Sequence, residues 1–153
     1  MDNINQNENI GQDAFLEGNE CIDEAVTAFY KNPSEDTFTG ILYAIYLRMM
    51  ADGHFIIPVD PYEDEEGNQG FNFKTLLNEN NELAVAAFTT GENFKKAPET
   101  GALSNFIDSL LVAVKGDDNI SGILLNPWGE TFFLTKEMIA TIIDAKEKAN
   151  KQN

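Results

Sequence analysis

The sequence predicts an α+β domain, with amphipathic helices packed on a mixed five-stranded sheet in the order ααβββααββα. Three observations carry that expectation. Apolar residues recur at helical spacing in several segments, beginning with Ile22, Val26 and Phe29 and ending with Met138, Ile139, Ile142 and Ile143. Short β-rich runs, bounded by Gly, Pro, Asn and Asp, stand between them. Asn119–Thr135 is the most tightly specified stretch: a buried strand, a turn at Asn126-Pro127-Trp128-Gly129, a second strand, then a helix opening at Thr135.

In chain order, residues 1–18 are polar and aperiodic and are expected to be a disordered lead-in, leaving residues 19–153 as one domain. Asn19 is placed to cap a first helix whose opening turn holds Glu20, Asp23 and Glu24, favourable beside the helix dipole, and Asn32-Pro33 ends it. Ser34 caps a second helix with the apolar stripe Phe38, Ile41, Leu42, Ile45 and Met49, and Gly53 is expected as its left-handed terminator. His54–Val59 reads as a strand, at or near an edge because of Pro58. The acidic segment Asp60–Gly70 reads as a loop, Phe71–Leu77 and Leu83–Thr89 as a hairpin, and Thr90 as the cap of a short helix carrying Phe94. Ala102–Val114 has helical spacing throughout, and the Gly116-Asp117-Asp118 turn leads into Asn119–Thr135.

Composition narrows the function classes. With 26 acidic against 10 basic residues, the formal net charge is −16. Such a field repels phosphate backbones and anionic lipid surfaces, so neither nucleic acid nor membrane is expected as a partner. It favours basic partners or cations, although solubility is the commoner reason for such a charge, and another protein is the expected partner. Cys21, the single cysteine, leaves no internal disulfide, and no run of apolar residues reaches the length of a membrane span. Met1–Gln12 lacks the basic start and apolar centre of a signal peptide, so a cytoplasmic location is expected.

No catalytic constellation emerges, and the chain is expected not to be an enzyme. An EF-hand with Gly67 at its sixth position would put Tyr62 first and Phe73 last, where oxygen ligands are required. Cys21 and His54 are each the sole residue of their kind, so a Cys-His nucleophile would need both, and a zinc site would need two further carboxylates that no spacing marks. Phosphate-binding glycine loops and the Gly-x-Ser-x-Gly elbow are missing, so neither metal nor cofactor is expected. Trp128, at the turn between Pro127 and Gly129, is the candidate partner-binding residue, with Asn126 and Glu130 beside it. Its ring has two alternatives: folded back onto the sheet, or presented to a partner.

Three segments, Phe55-Ile56-Ile57-Pro58-Val59, Ala86-Ala87-Phe88-Thr89-Thr90 and Gly122-Ile123-Leu124-Leu125-Asn126-Pro127, occur here in a fixed order with helices between them. In this the chain from about Cys21 onward resembles the N-terminal domain of the SseB family, named for an enhanced-serine-sensitivity phenotype. That resemblance implies the fold and a cytoplasmic, bacterial accessory role, and it carries no catalytic residues to transfer. The leading expectation is a non-enzymatic protein-interaction module. An acidic inhibitor or immunity-type protein that blocks a basic partner, and a small-molecule-binding domain with its site between the sheet and the first two helices, are the alternatives.

Overall fold

The computed structural model describes residues 14–98 and 101–151, so the expected lead-in over residues 1–13 lies outside the described residues. Its last part is structured: Ala14–Leu16 forms a 3-10 turn with Leu16 buried. The class is α+β, with five α-helices and seven strands among the described residues. Helices α1 (Glu20–Lys31) and α2 (Glu35–Met50) come first, followed by strands β1 (His54–Glu63), β2 (Gln69–Phe73), β3 (Thr75–Leu77) and β4 (Leu83–Ala87). Helix α3 (Gly91–Lys95), strand β5 (Ala102–Phe106), helix α4 (Ile107–Lys115), strands β6 (Gly122–Leu125) and β7 (Phe132–Thr135) and helix α5 (Lys136–Lys151) complete the chain.

The strands form two sheets instead of the single five-stranded sheet expected. One is three-stranded, ordered β2-β1-β5, and the other four-stranded, ordered β3-β4-β6-β7. The expected strand Phe71–Leu77 divides at Lys74, whose N–H donates to the Pro58 carbonyl while its own carbonyl accepts from Ala86 N–H. One residue therefore serves both sheets, and its two flanks pair with different neighbours. Ile56 and Phe88 make a second link by exchanging backbone bonds of 2.9 and 2.8 Å.

Pro58 lies in the central strand of the first sheet, not at an edge. A missing N–H is tolerated there because β1 changes partner at that residue. His54–Pro58 pairs with β5, and Val59–Glu63 pairs with β2. The second pairing carries β1 four residues past the expected end at Val59 and shortens the acidic loop to a turn. Its Asp64 carboxylate accepts from the Glu66 and Asn68 N–H groups and from the Asn68 amide. Those hydrogen bonds, led by Asn68, hold Asp64 below the ordinary carboxylate range. Ala102–Phe106 is likewise a strand and not the first turn of a helix. Helical spacing of Leu103, Phe106 and Ile107 is overridden because β1 has an open flank that this segment fills.

Local capping follows expectation at Ser34, Thr90 and Thr135 and departs from it at Asn19 and Gly53. Ser34 accepts from Thr37 N–H while the Thr37 hydroxyl accepts from Ser34 N–H, a closed capping box. Thr90 accepts from Asn93 N–H, and Thr135 from Met138 N–H. After α2 the left-handed residue is Asp52, with φ of 60°, and not Gly53. Gly53 is needed for space: a Cβ there would lie 2.8 Å from the Arg48 carbonyl oxygen. Asn19 makes no cap bond, because its side chain is buried and engaged elsewhere.

One main core lies between the helices and the inward face of the four-stranded sheet, joined by Phe55 and Ile57 of β1. Ile22, Ile41, Ile45, Leu111, Ile123 and Leu134 are fully buried within it. Burial of each such side chain contributes about 2 kcal/mol before chain entropy is set against it. A smaller cluster of Leu16, Ile56, Phe88 and Phe94 lies where the two sheets meet. Strands β4 and β6 run parallel, so their carboxyl ends, Thr89 and Asn126, emerge side by side next to the first turn of α1.

Candidate functional site: an acidic cleft at the ends of β4 and β6

A cleft of 510 Å³ opens at those strand ends. Glu20 and Asp23 of α1 line one side, and Thr90, Glu92, Asn93 and Lys96 around α3 line another, with Asn126 and Glu130 from the β6–β7 turn. Its floor is a closed polar network. The Thr89 hydroxyl donates to Asp23 Oδ1 at 2.5 Å and accepts from Asn126 Nδ2 at 3.1 Å. Asn126 Nδ2 also reaches Asp23 Oδ1 at 3.2 Å, and Asn93 Nδ2 reaches Asp23 Oδ2 at 3.1 Å. Asn126 Oδ1 accepts the backbone N–H of Thr89 at 3.1 Å. Each asparagine is thereby oriented, since reversing either amide would set an oxygen against Asp23.

Beneath this floor, Asn19 joins three elements. Its Nδ2 donates to the carbonyls of His54 and Thr89 at 2.7 and 2.8 Å, and its Oδ1 accepts from Arg48 Nε at 2.8 Å. With 0% exposure, Asn19 has no water to turn to. It holds the end of α1 against the first residue of β1 and the end of β4, which fixes the height of Asp23 in the cleft.

Burial raises the Asp23 carboxyl above its ordinary value. Hydrogen bonds from Thr89, Asn126 and Asn93 oppose that rise, and the Glu20 charge adds to it. The sign of the resulting pH dependence follows. Between the ordinary aspartate value and the raised one, the folded chain binds more protons than the unfolded chain, so this group's contribution to stability falls as pH rises through that window. Urea denaturation at a series of pH values is expected to show the unaltered protein losing stability relative to Asp23→Asn as pH increases from about 4. A gap that moves the other way would mean the hydrogen bonds outweigh burial.

The three sequence-predicted partner-binding residues separate into different roles. Asn126 is buried at 5% exposure with φ of 53°, and its side chain is committed to the floor. Its carbonyl accepts from Gly129 N–H at 2.9 Å, closing the turn in which Pro127 takes the second position. Glu130 is exposed on the cleft wall and accepts from the Thr27 hydroxyl. Trp128 combines both alternatives: its ring lies parallel to buried Phe88, centroids 6.3 Å apart at 15°, yet the residue is 40% exposed. Trp128→Ala is accordingly expected to cost only about 1 kcal/mol in a urea titration. A loss several times larger would make the ring part of the core.

Cys21 and His54 have different surroundings. Burial pushes the Cys21 thiol up; Arg48 opposes this, and Glu24, Glu20 and Asp23 add to it, contrary to the thiolate favoured by a helix start. The His54 ring is stacked on Phe15 and edge-on to Phe106, with Nδ1 2.9 Å from the Ser104 hydroxyl. Among the described residues, no group of three or more His, Cys, Asp and Glu side chains could hold a metal ion, and no helix is long and apolar enough to cross a membrane.

Sequence reasoning passed over Asp23, Thr89 and Asn93 as site residues. Asp23 and Asn126 are 103 positions apart, and nothing local distinguishes Asp23 from the other acids of its helix turn. The only sequence signal was indirect, since Thr89 and Asn126 are the next-to-last residues of two of the three ordered segments.

The fold and the cleft together define an α+β domain with a preorganised acidic site at the ends of two parallel strands. No family model, curated protein or solved structure matches the chain.

Proposed function

We propose that this chain is a non-enzymatic protein-interaction module that receives a basic segment of another protein in the Asp23–Asn126 cleft. One observation carries the reading: Glu20, Asp23, Glu92 and Glu130 converge there against the single cation Lys96. The floor supports binding over chemistry, because both Asp23 oxygens are already occupied by hydrogen-bond donors. Exposed Trp128, two residues from Asn126 and from Glu130, supplies an apolar anchor beside the charge. A cytoplasmic, SseB-like accessory role is part of the proposal. It is supported by the three ordered segments being spatial neighbours, with Ile56 bridged to Phe88 and β4 paired with β6.

The same cleft favours a second reading, a small cationic ligand such as an amine or guanidine, because the site lies between the first helix and the sheet and contains a raised carboxyl. Binding of a lysine-rich peptide, followed by titration calorimetry, tests the first. Affinity is expected to fall about tenfold or more between ionic strengths of roughly 0.01 and 0.15 M, and Glu20→Gln/Glu92→Gln/Glu130→Gln is expected to abolish it. No retention of the peptide at the lower ionic strength would sink the proposal. Thermal stabilisation by free amines alone would favour the second reading.

A further inference from the structure

On the other side of the Asn126–Thr131 turn lies a groove of 590 Å³ with a different lining. Leu124 of β6 and Phe133 of β7 are cross-strand partners. Their neighbours Ile123, Leu125, Phe132 and Leu134 are buried against the helices, so strand alternation turns Leu124 and Phe133 to the opposite sheet face. They line the groove together with Tyr30, which is 49% exposed, and Leu77, which is 60% exposed. Carboxylates bracket this apolar surface: Glu79 lines the groove, and Glu130 sits between its lining residues Gly129 and Thr131. Both charges are close enough to Tyr30 to help raise its phenol, after burial. None of the residues lining the groove is Lys or Arg.

We infer that this groove takes the apolar side chains of an amphipathic basic segment of a partner protein, whose Lys or Arg residues meet Glu79 and Glu130. The occupant is specified by charge complementarity. A neutral apolar segment would leave the bracketing carboxylates unanswered, and a uniformly basic one would leave Tyr30, Leu77, Leu124 and Phe133 uncovered. Glu130 belongs to the wall of the acidic cleft as well, so a segment crossing the turn reaches both surfaces. The inference rests on the basic-partner reading and narrows the partner class from basic to basic and amphipathic.

Two synthetic peptides of equal length and charge test it on the whole chain: a Leu/Lys amphipathic helix, and the same peptide with every Leu replaced by Ser. Backbone amide NMR shifts and calorimetry are the readouts. The Leu/Lys peptide is expected to bind about tenfold tighter and to move the signals of Leu77, Leu124 and Phe133. Leu77→Ser, at a largely exposed position, is expected to remove most of that difference. Equal affinity of the two peptides, or shifts confined to Glu20, Glu92 and Asn93, overturns the groove and leaves the cleft reading standing. Groove binding that survives Glu20→Gln/Glu92→Gln unaltered supports the groove and counts against the cleft. Failure of both peptides to bind at low ionic strength overturns both.

Discussion

Asn126→Ala is expected to lower the unfolding free energy by about 4 kcal/mol, the largest effect of any single substitution in the cleft. Three bonds disappear: the one accepted from Thr89 N–H and those donated to Asp23 and the Thr89 hydroxyl. A buried N–H is left without its acceptor, at roughly 1–3 kcal/mol. The backbone adds to this, since φ of 53° costs alanine about 1 kcal/mol more than asparagine or glycine. Asn126→Gly separates the two terms, and urea denaturation is expected to place it about 1 kcal/mol above the alanine variant. Equal stability of the two would remove the conformational term. A loss below about 1 kcal/mol for both would show the network to be decoration on an independently stable turn.

Asn19→Ala is expected to cost about 3 kcal/mol and to lower the melting temperature by roughly 10 °C. The His54 and Thr89 carbonyls lose a donor, and Arg48 Nε loses its acceptor, all at a position with 0% exposure. Asn19→Asp sharpens the test. It keeps the Arg48 bond and strengthens it by charge, but sets a carboxylate oxygen against two carbonyls. If the Arg48 bond dominates, aspartate rescues; if the two donated bonds dominate, aspartate is as damaging as alanine, which is the expected result. Thermal melts monitored by circular dichroism decide between them.

The parts of the fold legible in the sequence are those set by neighbours along the chain. The α1, α2 and α5 segments carry their apolar stripes openly, Ser34, Thr90 and Thr135 cap where their chemistry says they should, and Pro127 marks the β6–β7 turn. What was not legible depends on partners brought in from elsewhere. Ala102–Phe106 has helical spacing and becomes a strand only because β1 offers it an unpaired flank. Lys74 divides a strand because it sits where two sheets meet, and no propensity of lysine announces that. Asn19 has the chemistry of a helix cap, yet the His54 and Thr89 carbonyls and Arg48 compete for the same side chain and win. The cleft was half visible: Asn126 and Glu130 were reached through their turn, whereas Asp23 needed the fold to close before it could be told from its neighbours.

Strand β1 divides after Val59 into a half that belongs to the interior and a half that does not. From Asp60 onward the strand pairs only with β2, and Asp60–Glu63 are exposed, as are four of the five residues Gly67–Phe71. The outer part of the β1–β2 arm, beyond Val59 and Phe73, is thus exposed and paired only with itself. A longer sequence at its tip, Glu65–Gly67, would cost the Asp64 turn bonds and the entropy of a longer loop, while the Asn19–Thr89–Asn126 assembly stays as it is. That makes the arm the natural place to attach a reporter for partner binding, away from the cleft.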